Sequence, residues 1–359
     1  MIKTLDRYFI ILFIKKLLTL TIIFFSLSFI LTIFEEITFL SETKSAFYLP
    51  FMLAIFDAPT TLLEIFPFVI LISAQLFFID LIKKKENELV KINNLDNFYL
   101  IRLLAICSFL FGLLIITVYY PISSKLKFIY FDIKNVYSED GKYLKHFNDN
   151  GIWIKDEIKN EIYIINGVTK RDPFLEDVFI SKFNYNFELI ENIFTQKVNI
   201  SSNEWVIKNP IIFKNNRQIQ SEKTLILNTH FNIEKINSTF RNLNSFNLFQ
   251  LVDIKKENTL LGYSSQELDL HFLKIMSLPI YFSVLVIISS IIMLNIRKNK
   301  PYIFHVLLGI SLSVMIYYIN NIFDVFGLTN KIPIYLSVFF PIAFLGIISI
   351  IGLIRINEK

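Results

Sequence analysis

Cysteine occurs once in 359 residues, at Cys107, so no disulfide can form within the chain and its surroundings leave no redox mark on the sequence. Glycine is scarce as well, nine residues in all. Neither G-x-x-x-x-G-K-[ST] nor G-x-G-x-x-G occurs, which argues against nucleotide binding through either phosphate-cradling loop. The G-x-S-x-G elbow of serine hydrolases is absent too. The four histidines, His146, His230, His271 and His305, lack ligand-like spacing with one another or with Cys107, so neither a metal site nor a catalytic residue is expected. A net charge of +5 is too mild a basic surplus to be a nucleic-acid signature.

What the chain has in abundance is apolar surface: 53% hydrophobic residues, 38 of them Phe, and a mean hydropathy of +0.51. That balance points to an integral membrane protein. Six runs are nearly free of charge, Leu17–Phe34, Leu62–Ile82, Leu103–Ile122, Ile275–Ile296, Tyr302–Phe323 and Ile332–Ile354. Each is long enough to cross a hydrocarbon layer of about 30 Å as a helix. The second is the least regular, because only Ile65–Ile79 is free of charge and Pro67 lies inside it. The first is followed by Phe34, Glu35 and Glu36 in place of a small-residue cleavage site, so it reads as a retained helix.

Orientation follows from the short loops. Lys3, Arg7, Lys15 and Lys16, then Lys83, Lys84, Lys85 and Lys91, then Arg297, Lys298 and Lys300, and finally Arg355 and Lys359 fall on one side. The opposite loops carry Glu35, Glu36, Glu42 and Asp57 against Lys44, and Asp324 against Lys331. Both termini are therefore expected in the cytoplasm, with Ser123–Leu273 outside.

The expected fold is an α+β membrane protein, six transmembrane helices in a 3+3 arrangement with an inserted periplasmic β-jellyroll-like domain. The domains are residues 1–124, with a cytoplasmic helix at 83–98, then 125–272, then 273–359. Within the insert, GIWIK, EIYIING, DVFISKF, EWVIKNP and TLILNTHF are short β-branched and aromatic runs set apart by Asn, Gly, Pro or Asp, the pattern of a small antiparallel sandwich or jelly roll. Trp153, Ile162, Ile164, Phe179 and Trp205 are its expected inward positions.

LIKKKENELVKINN, residues 81–94, interrupts this apolar chain with four lysines, two glutamates and three asparagines. As a helix it carries Leu89, Ile92 and Leu95 along one flank, with Glu86 and Glu88 near its start, where negative charge suits the helix dipole. An amphipathic helix of this kind can dock in a partner's groove. A solvated loop whose lysines only fix topology has the same composition.

The chain resembles the LptF/LptG (YjgP/YjgQ) family of lipopolysaccharide-export permeases. Pro59 and Pro67 keep the family's P-x7-P spacing into the second span, and Glu88-Leu89-Val90-Lys91-Ile92 matches the start of its coupling helix. LDRY at 5–8, SLSFI at 26–30, GIWIK at 151–155, EWVIKN at 204–209, Ile332-Pro333 and Pro341 are similar too. LDRY and the sixth run favour the G-type subunit over its sister F-type.

The resemblance implies a permease subunit of an ABC-type transporter in the bacterial inner membrane. It would extract lipopolysaccharide and pass it to a periplasmic bridge toward the outer membrane. The implied partners are an LptB-like ATPase dimer, an LptF-like permease and LptC-like and LptA-like bridge proteins; no cofactor is expected in this chain, with ATP held by the ATPase. Glu88 would be the polar ATPase contact, with Leu89 and Ile92 filling the groove. Where the family has Arg-Ala-Ser-Gly, Asn93-Asn94-Leu95-Asp96 stands here.

Phe24, Phe25, Phe29, Phe66 and Phe68 are candidate cavity walls, and each can equally be a packing or lipid-facing Phe. Thr32 replaces a basic residue frequent in the family and lies near Glu35. Lys125, Lys127 and Lys274 sit where lipid phosphates would pass, and helix-end lysines also serve as membrane anchors. Lys274 matches a basic position of the family. Asn320, Asn321, Asp324 and Glu64 can bond between helices. Two other classes remain open, a non-transporting membrane sensor or scaffold with a β-sandwich ectodomain, and a polytopic lipid enzyme.

Overall fold

The computed structural model describes residues 4–41, 46–84, 97–137, 152–158, 160–171, 173–214, 217–220, 224–240, 242–260, 263–294 and 301–357. They form two compact units, Met1–Lys127 with Gln266–Lys359, and Phe128–Ser265.

The first unit is built from six helices long and apolar enough to cross a membrane. α1 is Thr4–Leu40, α2 Leu49–Lys83 and α3 Asn97–Tyr137, the last continuing past the unit boundary. After the insert come α6 (Gln266–Leu294), α7 (Tyr302–Leu328) and α8 (Ile334–Asn357). α2 and α6 bury 61% and 56% of their most apolar stretch, against 22–33% for the other four, so these two make the centre and the rest are arranged around them. Small residues set the closest approaches, as expected where helices pack without a hydrophobic drive between them. Gly112 of α3 lies against the Pro279 backbone of α6, and Gly309 of α7 against Gln75 of α2.

Pro121 shapes α3. Its ring has no N–H and would crowd the carbonyl four residues earlier. The helix widens just before it into a π turn at Ile115–Tyr119, with the Tyr120 N–H donating to Ile115 O. That extra residue turns both Tyr119 and Tyr120 toward neighbouring helices. Tyr119 OH donates to Pro59 O at 2.8 Å, and Tyr120 OH is hydrogen-bonded to His271 Nε2 at 3.0 Å.

The second unit is one eight-stranded, wholly antiparallel sheet curled into a half-barrel. β1 (Ile152–Ile158), β2 (Glu161–Arg171), β3 (Phe174–Phe183) and β4 (Leu189–Asn199) form a meander. The far edge of β4 is shared by β5 (Glu204–Ile207) at one end and β6 (Ile211–Lys214) at the other, with β8 (Leu225–Asn228) on β5 and β7 (Arg217–Gln220) on β6. One face carries the core: Ile154, Ile165, Val178, Ile180, Ile193 and Trp205 pack with Phe231 and with Ile236 of α4 (Ile233–Phe240). Trp205 Nε1 donates to Phe231 O at 2.9 Å, which gives its polar handle a partner inside the core. α5 (Leu248–Leu260) follows before the chain returns to α6.

Trp205 lies in the core, but the structure corrects the other four expected inward positions: Ile162 is buried and Ile164 half-buried, yet they pair with Glu157 and Lys155 on the face opposite Tyr163, Ile165 and the core. Trp153 is 57% exposed and Phe179 39%, both on the opposite face. In β1 the inward set is Ile152, Ile154 and Asp156, and side chains alternate with a period of two, so Trp153 faces away. In β3 the phase changes partway: Leu175 is inward, and so are Val178 and Ile180. Asp177 between them adopts a left-handed φ of 50°, which re-aims the strand and turns Phe179 out. Leu175 fills the space above Gly167, where a Cβ would stand 2.4 Å from its side chain.

Among the described residues Asp156 is the one carboxylate inside this core face, and its carboxylate is held by three contacts. Thr229 Oγ1 and the His230 N–H donate to its Oδ2 at 2.6 and 2.9 Å, and His230 Nδ1 lies 2.7 Å from Oδ1. The carboxylate fastens β1 to the turn after β8.

Candidate functional site

Side-chain chemistry in the helical unit gathers at the two ends of the bundle. At the end where the chain leaves for and returns from the insert, Lys127 of α3 pairs with Asp57 of α2, and Thr60 Oγ1 reaches Ser123 O at 3.4 Å. Lys274 of α6 pairs with Asp324 of α7 at 2.7 Å, Asn320 Nδ2 donates to Tyr281 OH at 3.1 Å, and Gln266 is bonded to Asn330. Thus α2 is tied to α3, and α6 to α7. Both side chains of the Lys127–Asp57 pair are largely buried, whereas Lys274 is half exposed beside a largely buried Asp324.

At the end holding the N-terminus, Lys16 pairs with Asp80, Tyr99 with Asp6, and the Lys83 ammonium lies 5.8 Å from the Tyr302 ring centroid. Deeper in the bundle, the wholly buried Gln75 donates from Nε2 to His305 O at 3.0 Å. Its Oε1 has no partner among the described residues. Glu88, Leu89 and Ile92 fall within residues 85–96, outside the described residues.

The cavity candidates do not all occupy one kind of place. Phe66 is 1% exposed and meets Phe111 and Tyr119 edge-on at 5.7 and 5.2 Å, the surroundings of a packing residue and not of an open wall. Phe24, Phe25, Phe29 and Phe68 are half-buried, and Phe68 approaches Tyr317 at 6.4 Å. Thr32 is buried and turns its hydroxyl back to Ser28 O at 3.0 Å, while Glu35 is exposed and Glu36 buried. Lys274 is half exposed, with Asp324 on its inner side.

Sequence reasoning missed Gln75 and the Tyr120–His271 pair. For Gln75 a signal existed, a lone amide inside an apolar span, which has to find an interhelical partner. Among the described residues no group of three His, Cys, Asp or Glu side chains could hold a metal ion.

Six apolar helices, three on each side of an inserted antiparallel sheet, make this a multi-pass membrane protein with a β domain outside the spans. Residues 7–355 match the family described as lipopolysaccharide export system permease LptF/LptG, and the chain belongs to that family. It is a permease subunit of the ABC transporter that extracts lipopolysaccharide, a non-catalytic role. No curated protein matches the sequence.

Proposed function

We propose that this chain is the G-type permease, paired with an F-type sister and driven by an LptB-like ATPase dimer that holds the ATP. Both termini and residues 83–98 lie in the cytoplasm of the inner membrane, and residues 128–265 lie in the periplasm, passing cargo to LptC-like and LptA-like bridge domains. The carrying observation is the charge asymmetry. Thirteen Lys and Arg fall in the tails, loops and adjoining helix ends assigned to one side of the six spans, and mostly acids are assigned to the other. Glu88, Leu89 and Ile92 receive the ATPase's motion. Phe24, Phe25, Phe29 and Phe68 line the lipid path with Thr32 and Glu35 near its mouth, and Lys274 meets a cargo phosphate. Phe66 supports that wall from behind.

The choice of G over F rests on LDRY at 5–8 and on the sixth run with Pro341. The test is copurification. Glu88→Ala with Leu89→Ala is expected to lose the ATPase and ATP-driven lipid release, and a double variant that keeps both sinks the coupling role. Coexpressed with an F-type and a second G-type chain, this protein is expected to take the F-type; preference for the G-type reverses the subtype.

A further inference from the structure

The β domain carries a cleft of about 830 Å³. It opens where the sheet divides. β4 pairs with β5 only through Val198 and Asn199, and with β6 only through residues 192–194. Residues 195–197 lie between, and the Thr195 hydroxyl reaching Lys208 O at 3.4 Å bridges the gap. One lining residue, Asn209 between β5 and β6, is in left-handed backbone with φ 50°. Such conformations cost energy, and they collect at binding and catalytic sites.

The lining is of mixed kind. Phe174, Phe194, Val206 and Ile211 supply apolar surface, and Gln196 and Asn209 supply amides. Its charged lining residues are Lys197, Lys208 and Glu204. Lys197 sits 4.1 Å above the Phe174 ring and 3.5 Å from Glu176, and Lys208 shares the cleft with Glu204. An added β-strand would need a flat edge, and the Asn209-Pro210 kink breaks this one. Amides and charged groups of both signs supply donors and acceptors beside aromatic and aliphatic side chains. That suits a sugar ring, with hydroxyls around its edge and C–H groups on its face. The volume lies within the roughly 300–1,000 Å³ of small-molecule sites.

We infer that this cleft is a saccharide subsite that holds the oligosaccharide part of the exported lipid. The inference rests on the family's cargo and on the periplasmic placement of residues 128–265.

The test uses the full-length permease with its partner subunits in nanodiscs. The probes are delipidated lipopolysaccharide oligosaccharide, a soluble peptidoglycan disaccharide-peptide and inorganic phosphate. Gln196→Ala with Lys208→Ala removes two exposed side chains and is expected to weaken oligosaccharide binding about tenfold at an unchanged melting temperature, as two lost hydrogen bonds should. Asn209→Gly relaxes the left-handed backbone while deleting the amide, so its expected loss of binding does not depend on misfolding. Unchanged binding in both variants overturns the subsite. Equal displacement by phosphate or by the peptidoglycan fragment overturns the assignment to cargo. Absence of oligosaccharide binding alongside intact ATP-driven lipid release removes the cleft and leaves the permease reading standing; loss of both removes the two together.

Discussion

Gly112 and Gly309 pose one substitution in two surroundings, and distance alone ranks them the wrong way. An alanine Cβ at Gly309 would stand 1.9 Å from Gln75 Nε2, and one at Gly112 would stand 2.5 Å from Pro279 Cα. The shorter contact should be the cheaper. At Gly309 the obstacle is the tip of a flexible side chain, which can swing away and forfeit its bond to His305 O. Interhelical hydrogen bonds of this kind contribute about 0.6–1.7 kcal/mol, so the cost is about 1–2 kcal/mol. At Gly112 the obstacle is backbone, so α3 and α6 must separate along their contact, a cost of about 3 kcal/mol in the upper range for overpacking. The helix propensity gained by Gly→Ala is the same in both and cancels. Survival of the size-exclusion peak after heating in detergent reads the difference: Gly112→Ala should lower the apparent melting temperature further than Gly309→Ala, by the equivalent of about 1–2 kcal/mol. Gln75→Ala should relieve the Gly309 variant of its steric part, and truncating any one side chain should not relieve Gly112→Ala. Equal shifts, or a larger one at Gly309, would refute the claim that neighbour stiffness outranks distance.

In the β domain, Trp205→Ala empties the centre of the core and leaves Phe231 O without its donor, so about 3–5 kcal/mol should be lost, enough to unfold this unit in a thermal melt. Burial pushes the Tyr263 hydroxyl up to about 12, against the opposing pull of the Lys155 N–H that donates to it at 2.9 Å. A folded value above the unfolded one means full stability below pH 10, eroding as pH rises to 12 by at most about 2–3 kcal/mol. Tyr263→Phe should flatten that part of the decline, followed by the fluorescence of Trp153 and Trp205, the protein's two tryptophans and both in this unit.

The helices were legible because a span is a one-dimensional quantity: twenty residues without charge, countable along the chain. The antiparallel domain was legible from strand length and turn residues. Which strand face is buried was not, because parity can be reset by one backbone angle. Asp177 looks like any exposed acid in the sequence, yet its φ of 50° turns Phe179 from core to surface. Trp153 misled for a different reason, since size argued for burial while its neighbours Ile152 and Ile154 held the inward register. Site residues were harder still. Phe66 and Phe68 stand two apart in one apolar run and have the same side chain, but only the three-dimensional neighbours separate a ring held by Phe111 and Tyr119 from one that is half open.

Lys274 shows how a paired residue can still be asked what it is for. Its ammonium bonds Asp324 at 2.7 Å, and its side chain is 49% exposed while that of Asp324 is 14%. A strut and a phosphate contact predict different responses to removing the acid. If the pair only joins α6 to α7, then Lys274→Met and Asp324→Asn both lose one tie and lower the melting temperature alike. An exposed pair of this sort contributes about 0–1 kcal/mol, so the shift is small and lipid extraction is little changed. If Lys274 serves the cargo, Asp324 competes with phosphate for one cation. Asp324→Asn then strengthens retention of phosphorylated lipid in the purified complex, and Lys274→Met weakens it, with the gap between the two variants shrinking as salt rises. Opposite signs in retention at equal melting temperatures carry the phosphate role, and parallel changes reduce Lys274 to a strut.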